Sequence, residues 1–230
     1  MEKLVRVINV GKLTYSKGLV LQKYLANLHN TSTEIKNTLL CIEHPPVYTT
    51  GIRHKQYTES QVEKLKETGA DFFRTNRGGL ITFHGPGQLV VYPILNLKYF
   101  KPSIRWYVCS VEDTVIKLCE HFNLKGEKSP HTGVWIQDRK LCAIGVHGSR
   151  FITTHGLALN CSTDLSWFDH IVPCGIEGKG VTSLSQELGR TVTIEETIPK
   201  FLECFKNTFD CDTVEVSKQE VEIILSNIDK

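Results

Sequence analysis

The amino-acid sequence predicts a single α/β domain. Segments with alternating or continuous apolar residues, which are typical of strands, dominate the middle of the chain, and segments with helical spacing flank them. The chain has 230 residues with a hydrophobic fraction of 40%, which is enough to bury one sizeable core. No repeat, low-complexity tract or linker divides it. We therefore expect one catalytic domain over residues 1–230, with its motif-bearing core at residues 38–190.

The first part of the chain alternates strands and helices. We predict a strand at residues 4–10, followed by an amphipathic helix with one face at helical spacing. That face consists of Tyr15, Leu19, Gln22, Leu25 and Leu28. Residues 38–43 form a short buried strand, which the prolines that follow bring to an end. Thr58 and Gln61 have the spacing of a capping box, so we predict a helix over residues 58–68.

Strands dominate the middle of the chain, and two helices close it. The predicted strands span residues 72–75, 89–95, 134–137, 140–146 and 151–161, with a hairpin turn at 138–139. Ser103 is the predicted N-cap of a helix between them. Its apolar face contains Ile104, Val108, Val111, Val115 and Leu118. Thr193 and Ser217 each precede a glutamate by three residues, which predicts the start of the last two helices.

Charge and composition exclude several classes of protein. The 27 basic and 25 acidic residues leave a formal net charge of +2, without the basic excess of a nucleic-acid-binding protein. No stretch of 18 apolar residues occurs, so we expect no membrane span. Residues 1–17 lack the hydrophobic core of a secretory signal, and their basic bias is compatible with import into an organelle. Composition alone leaves the compartment open.

The eight cysteines show no CxxC pair and no zinc-finger spacing, so we expect reduced thiols and no structural metal. Cys174 differs from the others because it lies between a proline and a glycine in a predicted turn, where a thiol is exposed. A structural turn cysteine is the alternative. Reactivity requires a nearby cation, because a free thiol with a pKa of ~8.5 is mostly protonated at neutral pH. Spacing leaves that cation open among His84, Lys140, His155, His170 and Lys179.

Three further segments suggest a binding site. Residues 77–88 contain four glycines among polar side chains, which is typical either of a ligand-binding loop or of a plain hairpin loop, and the spacing is not that of a P-loop. Lys140 begins an apolar strand and points either into a partly dry pocket or, at the strand end, into solvent. The small residues nearby either leave room for an apolar chain or pack a sheet face. These small residues are Ala143, Gly145, Gly156 and Ala158.

Five runs along the chain together resemble one known family. They are RGGLITFHGPGQ (77–88), TGVW (132–135), RKLCAIG (139–145), HGLALNCSTDL (155–165) and IVPCGIEGKGVTSL (171–184). In this order they resemble the lipoyl(octanoyl) transferases, and most closely the animal mitochondrial members, over nearly the whole chain. The resemblance implies a fold shared with the catalytic domains of biotin and lipoate protein ligases, with a mixed β-sheet flanked by helices.

The resemblance also implies an activity and a site. The expected reaction transfers an octanoyl group from octanoyl-acyl carrier protein to a lysine of lipoyl domains, including the glycine cleavage H protein. We expect a mitochondrial monomer without cofactor, metal, nucleic acid or membrane. Cys174 would be the acyl-thioester nucleophile, and Lys140 would lower its pKa and act as general base. The implied substrate-binding residues are Arg77, Gly78, Gly79, Leu80, Ile81, Thr82, Phe83, His84, Ala143, Ile144, Gly145, Gly156, Leu157 and Ala158.

Two other functions compete with this one. An ATP-dependent lipoate or biotin ligase would activate a free acid as its adenylate and would need no nucleophilic cysteine. A catalytically silent module would only bind a carrier or a lipoyl domain. The presence of both Cys174 and Lys140 in matching runs disfavours these alternatives, and no signature of a papain-like hydrolase is present.

Overall fold

A mixed β-sheet lies at the centre of the fold. The computed structural model describes residues 3–31, 37–53, 57–172 and 178–228. Its strands are β1 (Leu4–Lys12), β2 (Thr38–Glu43), β3 (Val47–Thr50), β4 (Asp71–Arg74), β5 (Thr82–His84), β6 (Gln88–Ile94), β7 (Val134–Ile136), β8 (Arg139–Ser149), β9 (Ile152–Asn160), β10 (Gly180–Val181) and β11 (Asp212–Glu215). The main sheet has the order β10-β8-β9-β6-β2-β1-β11, with β7 paired to β8.

Strand directions in the main sheet are mixed. β1 runs parallel to β2 and β11, and β10 runs parallel to β8. The pairs β2–β6, β6–β9, β8–β9 and β7–β8 are antiparallel. A second, small sheet has the order β4-β3-β5. The mixed sheet that the family resemblance implies is therefore confirmed.

Helices cover both faces of the main sheet. They are α1 (Tyr15–Thr31), α2 (Glu59–Lys66), α3 (Ile104–His121), α4 (Leu184–Leu188), α5 (Ile194–Phe209) and α6 (Lys218–Ile228). On β2, Leu39 and Cys41 point into the core beneath α3 and α5, whereas Leu40 and Ile42 point into the core beneath α1 and α6. Both faces of the sheet are buried, which explains why its central strands appear as continuous apolar runs. Among the described helices, none is long and apolar enough to cross a membrane.

Local signals in the sequence located the helix starts correctly. Thr58 and Gln61 form both hydrogen bonds of the capping box before α2, although this helix ends at Lys66, earlier than predicted. Ser103 Oγ accepts from the backbone N–H of Trp106, and Thr193 Oγ1 accepts from that of Glu196 (3.2 and 3.1 Å). These side chains satisfy amide groups that have no partner within the helix.

The predicted apolar face of α3 is wrong in its first turn. Ile104 is 43% exposed and Val108 is only half-buried, whereas Tyr107 is fully buried. The remainder of the predicted face, Val111, Val115 and Leu118, is in the core. Ile104 and Val108 line an open cleft, although Val108 also packs against the core and Ile104 lies over Gly148 of β8.

Strand boundaries depart from the prediction by one or two residues in most strands, and β8 extends three residues beyond its predicted end at 146. The turn between β7 and β8 lies at residues 137–138, one position earlier than predicted, and Gln137 adopts a left-handed conformation there (φ 54°). β3, β5, β10 and β11 have two to four residues each and were not predicted. Such short strands form because neighbouring strands pair with them, and that pairing has no local sequence signal.

Candidate active site

The glycine-rich segment lies across the central strands. The Gly78 N–H donates to the carbonyl oxygen of Val146 on β8 (2.9 Å), and the Ile52 N–H donates to that of Arg77 (3.0 Å). A Cβ atom on Gly145 would lie 2.8 Å from the Gly78 oxygen, so β8 needs a glycine where the segment crosses it. The segment is therefore not a plain hairpin loop. It forms a wall of the space beside β8.

An apolar cavity of about 440 Å³ lies between this segment and strands β8 and β9. Its lining includes Tyr15, Arg77, Gly79, Leu80, Thr82, His84, Val90, Tyr92, Ala143, Ile144, Gly145, His155, Gly156, Leu157 and Ala158. Most of the residues that the family resemblance implies for substrate binding therefore lie around one cavity.

Small residues face one another across β8 and β9. The strand register pairs Ala143 with Ala158 and Gly145 with Gly156. The alanine pair lines the apolar cavity, whereas backbone atoms of neighbouring segments lie close over the glycine pair. Position 156 cannot carry a side chain, because a Cβ there would lie 2.2 Å from the carbonyl oxygen of Val91.

Three of the expected binding residues lie elsewhere. Ile81 and Phe83 are buried in an aromatic cluster with Tyr48 and Phe168, because alternate residues of an extended segment face opposite sides. Gly78 lines a neighbouring open cleft instead. The structure therefore places Thr82 and His84 at the cavity, but not Ile81 and Phe83.

Two further cavities border Lys140, which does not itself line the apolar cavity. The open cleft has about 1060 Å³, part of it open to solvent, and its walls include Arg53, Ile104, Val108, His131, Ile144 and Lys140. A small cavity of about 260 Å³ lies between Lys140, Phe168 and Val181 and shares Thr82, Ala143 and Ala158 with the apolar cavity. Lys140 borders the open cleft and the small cavity alike, so it lies at the junction of these two spaces.

Lys140 is a buried lysine at the start of β8. It is only 4% exposed, which excludes the alternative of a solvent-facing lysine at a strand end. Its Nζ lies 4.7 Å from the centre of the Trp135 ring. Within the described residues, no carboxylate forms an ion pair with it. On its other side, the Lys140 carbonyl oxygen accepts from the Thr182 N–H (3.0 Å), which attaches the segment around β10 to the lysine strand.

Cys174 lies outside the described residues. The chain on either side of it contributes to the same small cavity, through Phe168 before it and Val181 after it. The other cysteines are in different surroundings. Burial raises the pKa of Cys41, Cys119 and Cys161 to about 12 and of Cys204 and Cys211 to about 11, and it raises that of Cys142 further. These buried thiols are poor nucleophiles because they stay protonated.

The histidines of the apolar cavity are held neutral. Burial, aided by the charge of Arg77, lowers the pKa of both His84 and His155 to about 3. His84 Nδ1 donates to Gln88 Oε1 (2.8 Å), since the Gln88 amide nitrogen donates to Phe83 and Asn160. Such histidines orient polar groups at neutral pH but do not deliver a proton.

Sequence patterns missed some lining residues. Tyr15 and Tyr92 close one end of the apolar cavity, and Trp135 lies beneath Lys140. Their contacts depend on the packing of α1, β6 and β7, so no local pattern could have indicated them. The described residues contain no group of three histidine, cysteine or acidic side chains arranged to hold a metal ion.

Comparison with known proteins gives one consistent set of relatives. The model of the lipoyl protein ligase A/B catalytic domain matches residues 14–206. The mitochondrial octanoyl-[acyl-carrier-protein]:protein N-octanoyltransferase LIPT2 of Danio rerio is 59% identical over 208 residues, covering 90% of this chain and 93% of the relative. The protein of the same name from Homo sapiens is 47% identical over 221 residues, covering 91% and 95%. An octanoyltransferase of Rubrobacter xylanophilus is 46% identical over 188 residues, covering 80% and 84%.

Solved structures share the fold at low sequence identity. A lipoate-protein ligase A bound with ATP superposes with a TM-score of 0.76 at 14% identity, covering all of this chain and 95% of the other. A biotin protein ligase of Aquifex aeolicus in complex with biotin gives 0.52 at 13% identity, covering 89% and 70%. The fold expected from the sequence is therefore confirmed.

Proposed function

Since the chain belongs to the lipoyl protein ligase A/B catalytic domain family, we propose that it is a mitochondrial octanoyltransferase with Cys174 as the acyl-carrying nucleophile. It takes an octanoyl group from acyl carrier protein and transfers it to a lysine of lipoyl domains, among them the glycine cleavage H protein. Residues 1–230 form its catalytic domain. The observation that carries the proposal is the buried Lys140, which lies without a carboxylate partner among the described residues between the small cavity and the open cleft.

The apolar cavity fits the acyl chain. Its lining along the sheet consists of small and aliphatic residues, among them the facing pair Ala143–Ala158. The carbonyl end of the octanoyl group then lies towards Lys140, while the remainder of the donor extends through the open cleft. Transfer of apolar surface from water into such a cavity favours binding.

The first half of the reaction exchanges one thioester for another. Lys140 as an ammonium favours the Cys174 thiolate, because an opposite charge nearby stabilises the ionised form. The thiolate attacks the octanoyl carbonyl carbon, and the bond from that carbon to the donor sulfur breaks. The departing thiolate takes a proton from Lys140, which leaves Lys140 as a neutral amine beside the acylated Cys174.

The second half of the reaction restores the starting state. The acceptor lysine, whose pKa is ordinarily ~10.4, loses one proton to solvent and enters as a neutral amine. Its nitrogen attacks the thioester carbonyl, Lys140 accepts the second proton, and Cys174 leaves as thiolate. The products are an amide, the free thiol of the carrier and a regenerated thiolate–ammonium pair. His84 and His155 are held neutral, so they orient the substrate and Lys140 carries the proton.

Intact-mass analysis tests the acyl intermediate. After incubation with octanoyl-acyl carrier protein, the wild-type chain should gain the mass of one octanoyl group, and peptide mapping should place it on Cys174. Cys174→Ser should abolish both the adduct and the transfer. Cys109→Ser, which changes a half-buried cysteine on α3, should retain both. Full transfer by Cys174→Ser would overturn the covalent mechanism.

The fold alone does not separate this enzyme from an ATP-dependent ligase, because a lipoate-protein ligase shares it. Parallel assays with octanoyl-acyl carrier protein alone, and with free octanoate and ATP, distinguish the two. We expect transfer only from the carrier-bound thioester. Activity that requires ATP and a free acid would assign the chain to the ligases, and absence of both activities and of the adduct would indicate a binding module.

A further inference from the structure

Two lysine side chains share one buried indole ring beside the candidate site. Lys140 Nζ lies 4.7 Å from the centre of the Trp135 ring, and Lys179 Nζ lies 5.7 Å from it. Trp135 is only 1% exposed. Both distances are within the range in which an ammonium is attracted to the electron-rich face of an aromatic ring.

The indole ring is held in place on several sides. Trp135 is directly opposite Lys140 in the register of β7 and β8, so both side chains occupy neighbouring positions on adjacent strands. The Trp135 backbone N–H and carbonyl bond to Glu127 (3.0 and 2.8 Å), and Nε1 donates to the carbonyl oxygen of His131 (3.0 Å). The chain before Trp135 needs a glycine at position 133, because its φ is positive and a Cβ there would lie only 2.6 Å from the Cys142 oxygen.

The charged groups around the ring leave Lys140 as the cation without a counter-charge in the described structure. Lys179 forms an ion pair with Asp138. The Arg139 guanidinium pairs with Glu187, and Glu112 Oε1 accepts from the Gly133 N–H (3.0 Å). Arg53 and His131 line the cleft together with Lys140, and the Cys142 thiol lies close enough to feel the Lys140 charge. None of these carboxylates is paired with the Lys140 ammonium.

An aromatic face and a carboxylate stabilise a buried ammonium in different ways. A carboxylate would accept hydrogen bonds from the ammonium and cancel its charge, so its effect on a nearby thiol would be small. The face of an indole attracts the charge without accepting a proton and without neutralising it. All three N–H groups of the lysine then stay available to the thiolate and to the departing sulfur.

We propose that Trp135 is a positioning residue, whose indole face holds the Lys140 ammonium at the junction of the cavities and keeps its charge available to Cys174. The proposal rests on the proposed function, since it takes Cys174 as the nucleophile. Trp135 lines neither the apolar cavity, nor the small cavity, nor the open cleft. Its effect therefore passes through the lysines on its ring, of which Lys179 is paired with Asp138 and Lys140 has no carboxylate partner among the described residues.

The pH dependence of Cys174 alkylation by iodoacetamide, followed by mass spectrometry, tests the proposal without any acyl donor. In Trp135→Leu we expect the midpoint to rise by about one pH unit, and in Trp135→Phe by about half as much. Both variants lose the hydrogen bond from Nε1 to His131. The difference between their midpoints therefore measures the effect of an aromatic ring face on the Lys140 ammonium. Phe205→Leu removes a buried aromatic from the core beneath α3 and α5 and should leave the midpoint unchanged.

If Trp135→Leu does not fold, replacement of Trp135 by fluorinated tryptophans provides a second test. Fluorine weakens the electrostatic potential of the ring face with little change of shape, so the midpoint should rise with each added fluorine. An unchanged midpoint across this series, or equal shifts in the Phe and Leu variants, would overturn the role of Trp135.

Lys140→Met separates this inference from the proposed function. A raised midpoint in Lys140→Met with an unchanged one in Trp135→Leu would overturn the role of Trp135 alone. An unchanged midpoint in Lys140→Met would overturn the thiolate–ammonium pair itself, and with it the role of Trp135.

Discussion

At the residue scale, the neutral histidines beneath the apolar cavity connect the site to stability. His44 donates from Nδ1 to the Leu13 carbonyl oxygen (2.6 Å) and accepts at Nε2 from the Tyr92 hydroxyl (2.9 Å). Burial lowers its pKa to about 4, while those of His84 and His155 fall to about 3. All three rings remain uncharged in the folded protein at pH values where an unfolded chain protonates them.

Acid should therefore destabilise the protein well above the pH at which carboxylates titrate. An unfolded histidine binds a proton below ~6.5, but these histidines do so only near 3 to 4, so the unfolded state gains protons first as the pH falls. From pH 7 to pH 5 we expect the free energy of unfolding to fall by about 2 kcal/mol for each such histidine. Urea unfolding at several pH values measures this loss.

Two variants make the measurement specific. In His84→Gln, the fall in the free energy of unfolding between pH 7 and pH 5 should be smaller by about the contribution of one histidine. His121→Gln changes an exposed residue at the end of α3 and should leave the sensitivity as in the wild type. If His84→Gln loses stability with acid as steeply as the wild type, the neutral state of His84 is not what links pH to folding.

At the element scale, the facing strands β8 and β9 set the shape of the apolar cavity. Ala158 lines both the apolar cavity and the small cavity beside Lys140, whereas the next residue, Leu159, faces the helical core. One strand therefore contributes to substrate space and to the core through alternate side chains. A change at one position need not disturb the other.

Ala158→Val should shorten the acyl chain that the enzyme accepts. One methylene group in an apolar pocket is worth about 1–3 kcal/mol, so transfer of octanoyl should fall about tenfold or more relative to butanoyl. Leu159→Val on the same strand should lower stability without changing the preference. The test compares the ratio of kcat/KM for octanoyl to that for butanoyl in each variant. An unchanged ratio in Ala158→Val would mean that the acyl chain does not bind in this cavity.

The sequence predicted elements with local signals better than those that depend on distant pairing. Thr58, Ser103 and Thr193 marked helix starts correctly, because a cap and the amide that it satisfies lie within four residues. β3 and β10 have no such signal. The contact between Trp135 and Lys140 was not predicted for the same reason. The two residues are five positions apart in the chain and become neighbours only through the β7–β8 register.

At the site, too, features with a local sequence signal were predicted, whereas those that depend on distant contacts were not. The glycine-rich segment and the small residues of β8 and β9 stood out in the sequence, and they do line one cavity. Local patterns did not reveal which faces they present, so Ile81 and Phe83 were expected at the site and lie in the aromatic cluster instead. Lys140 was identified by family resemblance alone, because burial of a lysine depends on the entire surrounding fold.

At the scale of the whole molecule, charge is nearly balanced, so recognition of an acidic carrier depends on where the basic residues lie. Arg53 is exposed at the wall of the open cleft that leads to Lys140. Charges at the rim of an interface mainly affect encounter rate and salt dependence. We therefore expect Arg53 to act on the carrier and not on the acyl group.

Arg53→Glu should raise KM for octanoyl-acyl carrier protein severalfold at low salt and leave KM for a small octanoyl thioester unchanged. Lys117→Glu makes the same charge change on the exposed side of α3, about 20 Å along the helix from Ile104, and serves as control. Equal effects of the two variants would mean that net charge, and not the cleft, governs carrier binding.

The place of β1 in the main sheet affects how the chain reaches its native state. β1 lies between β2 and β11, and its residue Leu4 pairs with Asp212. This high contact order means that one side of β1 keeps unpaired backbone groups until the last strand of the sheet has been synthesised. During that interval β1 is an open edge on which another chain can add. A chain cut after α5 would keep every described cavity residue, yet it would be prone to aggregation.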